Sequence, residues 1–150
     1  MIRRLATLPA LLLLALSGCT DRAPAAGDAA GDANRATLGG TVSYRERIAL
    51  TNEAVLIVTL EDVSRLDAAA EVIASQRIAD PGQVPIRFEL EYSRDAIDLR
   101  MRYVVRAHIT DRGRLLFTTE EVIPVLTRGG GREAHLLLVG APSPSVIPDP

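Results

Sequence analysis

Lysine and tryptophan are absent from this 150-residue chain, which holds one cysteine and two histidines. Without a second cysteine there is no internal disulfide, even in an oxidising compartment, and an apolar core has to supply the stability. All 17 basic residues are arginines, set singly along an alanine-rich chain, which reads as GC-rich coding and not as a guanidinium surface. They stand against 19 acidic residues. No basic patch suits nucleic acid, and none is expected as a partner. A membrane-spanning run is missing too, since Leu5 to Leu16 is about a dozen residues long and a spanning helix needs roughly twenty.

That short run has its own meaning. Arg3 and Arg4 form a cationic start, Leu5 to Leu16 an apolar stretch, and Ser17-Gly18 a small-residue exit, the layout of a cleaved secretory signal over residues 1–18. Leu16-Ser17-Gly18-Cys19 resembles the bacterial lipobox. The resemblance implies that the Cys19 thiol receives a diacylglycerol and becomes residue one of the working protein. Discarding Arg3 and Arg4 leaves 15 arginines against 19 acids, a net charge of -4. At about 0.8 kcal/mol per buried methylene, the two or three acyl chains implied at Cys19 make attachment essentially permanent. The expected membrane partner is thus reached through the N-terminal lipid. An aspartate directly after the cysteine tends to hold Gram-negative lipoproteins in the inner membrane. That position is Thr20, with Asp21 one further on, so the periplasmic face of the outer membrane is the expected address.

Residues 19–37 hold the acylated cysteine and a stretch of alanine, glycine, aspartate and proline without a large apolar side chain, the composition of a flexible tether. Residues 141–150 carry four prolines and are expected to be a loose tail. Between them, 38–140 is patterned with period two. Ile86, Phe88, Leu90 and Tyr92 alternate with Arg87, Glu89 and Glu91, a strand with one buried face. Tyr103, Val105, Ala107 and Ile109 repeat this against Val104, Arg106 and His108. Asp111-Arg112-Gly113 marks a hairpin into Leu115 to Thr118, with Gly113 suited to a positive φ. Ala54 to Leu60 is nearly continuous in apolar residues and fits a central strand covered on both faces. Val42 with Tyr44 opens the domain; Ala134, Leu136 and Leu138 close it after Gly129-Gly130-Gly131. The fold class expected is all-β, a small antiparallel β-sandwich or barrel of seven to eight short strands. Leu66 to Ile78 stays open between helix and strand. Its spacing at Leu66, Ala69, Ala70 and Ile73 is helical, with Asp67 as an N-cap, yet a lone helix needs its own burial site and Val72 to Ile78 can continue the sheet.

Five stretches carry a family resemblance: G-T-V-S-Y-R-E-R at Gly40 to Arg47, L-E-D-V-S-R-L-D-A at Leu60 to Ala68, I-R-F-E-L-E-Y at Ile86 to Tyr92, R-L-L-F-T-T at Arg114 to Thr119, and P-V-L-T-R-G at Pro124 to Gly129. Together, over Leu38 to Val139, they resemble the YbaY/YscW lipoproteins, which include pilotins of type III secretion secretins. The resemblance implies a β-sandwich and a binding role, with a secretion-system or outer-membrane protein as client. It departs at Leu50-Thr51-Asn52-Glu53, where members often have prolines.

Catalysis finds little support. Hydrolases of the common types need a nucleophile with a base in reach, and acylation consumes the Cys19 thiol. His108 and His135 take outward registers. A metal site with Glu133 would require their strands to be neighbours, and their spacing matches no ligand motif. No cofactor, no metal and no catalytic residue is expected. Asp62, Ser64, Arg65 and Asp67, in the most distinctive stretch, form the candidate binding loop, with local backbone bonding as the plainer role of the aspartates and serine. Glu120-Glu121 reads as a solvated turn, and Arg45-Glu46-Arg47 as an exposed edge strand. The function expected is that of a lipid-anchored, pilotin-like periplasmic chaperone holding a client peptide through a sheet edge or apolar groove. The alternative is a structural or stress-related envelope lipoprotein without a dedicated polypeptide client.

Overall fold

The computed structural model describes residues 33–142. Cys19, the signal segment 1–18, most of the 19–37 tether and residues 143–150 of the tail lie outside the described residues. The domain is all-β. Its strands are β1 (Arg35–Tyr44), β2 (Ala54–Asp62), β3 (Glu71–Ala79), β4 (Ile86–Ser93), β5 (Tyr103–Asp111), β6 (Arg114–Thr119), β7 (Ile123–Val125) and β8 (Glu133–Gly140), with one short 3-10 turn at Arg94–Ala96. The ambiguous 66–78 segment is a strand from Glu71 onward. β1 starts at Arg35, inside the stretch expected to be tether, because Ala36 and Leu38 already alternate into the core opposite Tyr92 and Leu90.

One sheet holds all eight strands, in the order β3-β2-β5-β6-β8-β1-β4, with β7 pairing the start of β5. It curls until its edges, β3 and β4, meet, and there the Glu89 N–H donates to Gln76 Oε1 at 3.2 Å. The two layers expected of a sandwich are therefore opposite walls of a nearly closed barrel. The sheet is also not wholly antiparallel. β1 and β8 run parallel, from Gly39 beside Glu133 to Tyr44 beside Leu138, so the chain enters at one end of the barrel and leaves at the other.

The inward alternation of β4 holds at every position, Ile86, Phe88, Leu90 and Tyr92 all being buried. They join Leu38, Val42, Leu56, Leu60, Ile109, Phe117, Leu136 and Leu138 in one core. Gly40 of β1 sits directly opposite Phe88. A Cβ there would lie 2.7 Å from the Phe88 ring and against the Ala134 carbonyl, so the ring occupies the space a side chain would need. The Tyr44 and Phe117 rings stack in parallel with centroids 4.1 Å apart, and the Tyr44 hydroxyl donates to the Ile48 carbonyl at 2.7 Å. Burial, with Glu46 nearby, raises the phenol above its ordinary pKa.

Three local expectations are corrected. β2 is a central strand between β3 and β5, but its outer residues Val55, Ile57 and Thr59 are only half-buried, because no element of the described residues is stacked on that wall. Arg45-Glu46-Arg47 is no edge strand. β1 ends at Tyr44 as a central strand, and Glu46 turns back to accept the Gly140 N–H at 3.0 Å. Val104, placed in an outward register, is 2 % exposed. The β5–β6 hairpin forms as expected, Asp111 opposite Arg114, with both Arg112 (φ 51°) and Gly113 (φ 75°) left-handed. Where proline was missing, the Thr51 hydroxyl donates to Asp111 at 2.7 Å and accepts the Glu53 N–H at 3.2 Å, closing the turn before β2.

Candidate functional site

The loop after β2 shows how its polar residues divide. Asp62 Oδ1 accepts the Ser64 N–H at 2.8 Å. Ser64 Oγ accepts the Arg102 N–H at 2.7 Å, and the Val63 N–H bonds the Arg102 carbonyl at 2.9 Å. Asp62 and Ser64 thereby pin this loop to the start of β5, the local role short polar side chains commonly have. Arg65 and Asp67 point to solvent and do not join them.

What the pinned loop borders is a groove of about 300 Å³ on the barrel's outer wall, lined by Val63, Val104, Val122, Pro124, Arg102 and Arg128, among others. Its floor is apolar because Val104 stands where β5 would ordinarily present a polar side chain, and β7, pairing Pro124 with Val104, shields it. Val122, 56 % exposed, forms one lip. The lining also carries two guanidinium groups and no carboxylate. Arg102 Nη2 donates to the Val63 carbonyl at 3.2 Å, and Arg128 Nη2 to the Arg100 carbonyl at 3.0 Å. Thr127, buried at 5 %, donates its hydroxyl to the Met101 carbonyl at 2.8 Å and ties the β7–β8 loop to the same place. Gly130 is needed in that loop, since a Cβ would lie 2.6 Å from the Val125 backbone.

The β4–β5 loop is held by an ion pair, Arg100 Nη2 to Asp98 Oδ2 at 2.6 Å. Hydrogen bonds from the Arg100 side chain, then its backbone N–H, lower the Asp98 pKa to about 2. The Tyr103 hydroxyl accepts the Asp98 N–H at 3.0 Å and donates to the Ala96 carbonyl at 3.3 Å.

Val104, Val122 and Pro124 match no binding motif in the sequence. The available signal was the single break in polar alternation at Val104, matched by Val122 following Glu120-Glu121. The histidines stay apart, since β6 lies between β5 and β8. His135 Nδ1 is 2.9 Å from Thr41 Oγ1, and its Nε2 is 3.9 Å from Glu133. Among the described residues no three metal-binding side chains cluster.

Comparison with known proteins agrees with this architecture. The curated relative YbaY, an uncharacterised lipoprotein of Escherichia coli (strain K12), is 34 % identical over 139 residues, covering 84 % of this chain and 73 % of the relative. A solved structure of an alternative pilotin from the type II secretion system of Vibrio cholerae superposes with a TM-score of 0.70 at 39 % identity, covering 73 % of this chain and 99 % of that one. The family model described as type III secretion system lipoprotein chaperone (YscW) matches residues 33–138, nearly the whole described domain. The chain belongs to the YscW family of lipoprotein chaperones.

Proposed function

We propose that this protein is a lipid-anchored envelope chaperone of the pilotin type, non-catalytic, whose outer-wall groove holds a peptide segment of an outer-membrane client. Acylated Cys19 would fix it to the periplasmic face of the outer membrane and carry the client there. The observation that carries the reading is the burial of Val104 on the outer wall, beneath an open apolar groove rimmed by Arg102 and Arg128. An apolar floor with two cations suits an amphipathic segment that bears carboxylates, bound by burial of its apolar side. Asp62 and Ser64 would act as positioning residues that hold the groove's edge, with Arg65 and Asp67 free for contact. Family membership and the pilotin likeness support the client class.

The test is deletion of the gene, followed by complementation with the wild type or a Val122→Asp, Arg128→Glu pair. Val122 and Arg128 are exposed, so both proteins should fold. We expect deletion to deplete at least one protein from the outer membrane, and the pair to fail to restore it. An unchanged outer-membrane proteome would refute the chaperone reading and favour an envelope lipoprotein without a polypeptide client.

A further inference from the structure

Among the described residues, the two most exposed large apolar ones, Leu66 at 91 % and Leu99 at 77 %, both lie on loops at one end of the barrel. Hydrogen bonds assemble that end. The 63–70 loop bonds Arg102, the 126–132 loop bonds Met101 and Arg100, and Asn34 bonds Ser93 and Asp95 at 3.1 and 2.8 Å. It is therefore also the end at which the chain enters the barrel.

The charges there are unevenly engaged. Asp98 is paired with Arg100, Asp95 accepts from Asn34, Asp62 accepts from Ser64, and Glu91 lies 3.6 Å from Arg35. Glu133 lies by His135 at 3.9 Å, and Asp67 and Glu71, the latter opposite Asp62, stand in solvent. At this end, Arg65, Arg94, Arg102, Arg128 and Arg132 have no carboxylate within ion-pair distance, Arg102 and Arg128 being the two that line the flank groove. Arg94 and Arg132 share a second, smaller groove of about 190 Å³ with Ile97, Leu99 and Leu126, again without an acid in its lining.

We propose that this end is a phospholipid-docking face, with Leu66 and Leu99 entering the headgroup layer and Arg65, Arg94 and Arg132 meeting headgroup phosphates. Exposed leucines set among cations are the composition of an interfacial membrane contact, where apolar burial and attraction to anionic lipid act together. The sequence of the entry strand names the occupant. Fourteen residues separate Cys19 from Asn34, a span of at most about 50 Å, and they join the barrel at this end, so it is here that an acylated Cys19 would tie the domain to the bilayer. Only that proximity rests on acylation; the contact itself does not, and it goes beyond the client groove on the flank.

The experiment uses the chain from residue 19 to 150 carrying Cys19→Ser, so that no acyl chain contributes. Co-sedimentation is measured with vesicles of phosphatidylcholine alone or with about one third phosphatidylglycerol. We expect binding to the anionic vesicles, weakened at least tenfold by Arg94→Gln with Arg132→Gln, at roughly fivefold per arginine. Leu99→Ser weakens it as well, and 0.5 M salt removes most of it. Val122→Asp, in the client groove, leaves it unchanged, which separates this proposal from that one. Near-ultraviolet circular dichroism checks the fold of each variant, all of whose altered side chains are exposed. Failure to sediment with anionic vesicles, sedimentation unaffected by the arginine pair, or preference for polyglutamate over vesicles would each overturn the proposal.

Discussion

Thr119 stands in for a missing strand partner. On one side of β5, pairing with β6 stops at Thr118 opposite His108 and pairing with β7 begins at Ile123 opposite Val105, which leaves Ala107 between them without a ladder neighbour. The Thr119 hydroxyl accepts the Ala107 N–H at 2.7 Å and donates to the Ala107 carbonyl at 2.9 Å. Thr119→Val keeps the shape and removes both bonds. It should cost about 1–3 kcal/mol in urea unfolding, the penalty of orphaning largely buried backbone groups; a loss below about 0.3 kcal/mol would show water replacing the hydroxyl. Gly40 is as demanding for a steric reason. Gly40→Ala pushes a methyl into Phe88 and the Ala134 carbonyl, and should destabilise by about 1–3 kcal/mol or more. Asp98 makes a prediction in pH. Its folded pKa is depressed to about 2 from 3.8, so its pairing with Arg100 is complete above about pH 4 and is lost as pH falls toward 2. A carboxyl titration followed by NMR should find a midpoint near 2 for Asp98, and a midpoint at or above 4 would contradict the ion pair.

Elements show where residue patterns suffice and where they do not. β4 was legible throughout because its partners fill both conditions of the alternation rule: core on one side, solvent on the other. β3 was ambiguous because it is an edge strand with little buried. Its inward residues are Ala74, Gln76 and Ile78, opposite Leu60, Val58 and Leu56, and a polar Gln76 in the inward row blurs the period. The parallel pairing of β1 with β8 was not legible at all, since alternation fixes which face is buried and says nothing about which strand lies alongside. The groove was hidden for the same reason. Val104 and Val122 are eighteen positions apart, and only the pairing of β7 with the start of β5 brings them together. By contrast, the β5–β6 turn was readable from Gly113, although Arg112 adopts the same left-handed region at greater cost. Arg112→Asn should therefore stabilise the domain by roughly 0.5–1 kcal/mol in thermal unfolding. No gain, or a loss, would mean that the 3.4 Å contact of Arg112 with Glu53 outweighs the backbone relief.

At the scale of the whole molecule, a nearly closed barrel leaves little free edge for strand addition. Its seam between β3 and β4 is clipped by Gln76, and grip has to come from a wall or an end. The flank groove and the entry end supply two surfaces of different chemistry, one apolar with two cations, the other leucine-tipped and arginine-rich. They lie close together because Arg102 and Arg128 border the first, and the loops that carry them build the second. A client held in the groove would thus sit near the bilayer to which Cys19 would tie the domain. Of all this, the family was legible in a few residues, the L-E-D-V-S-R-L-D-A stretch among them, whereas the groove needed three dimensions.

The most direct test of the client groove is photo-crosslinking in cells from a benzophenone side chain replacing Val122. The expected result is an adduct with an outer-membrane protein, lost when Arg128→Glu is added and absent when the probe replaces Leu115 on the far end. Adducts of equal pattern from both positions, or none with any membrane protein, would contradict it.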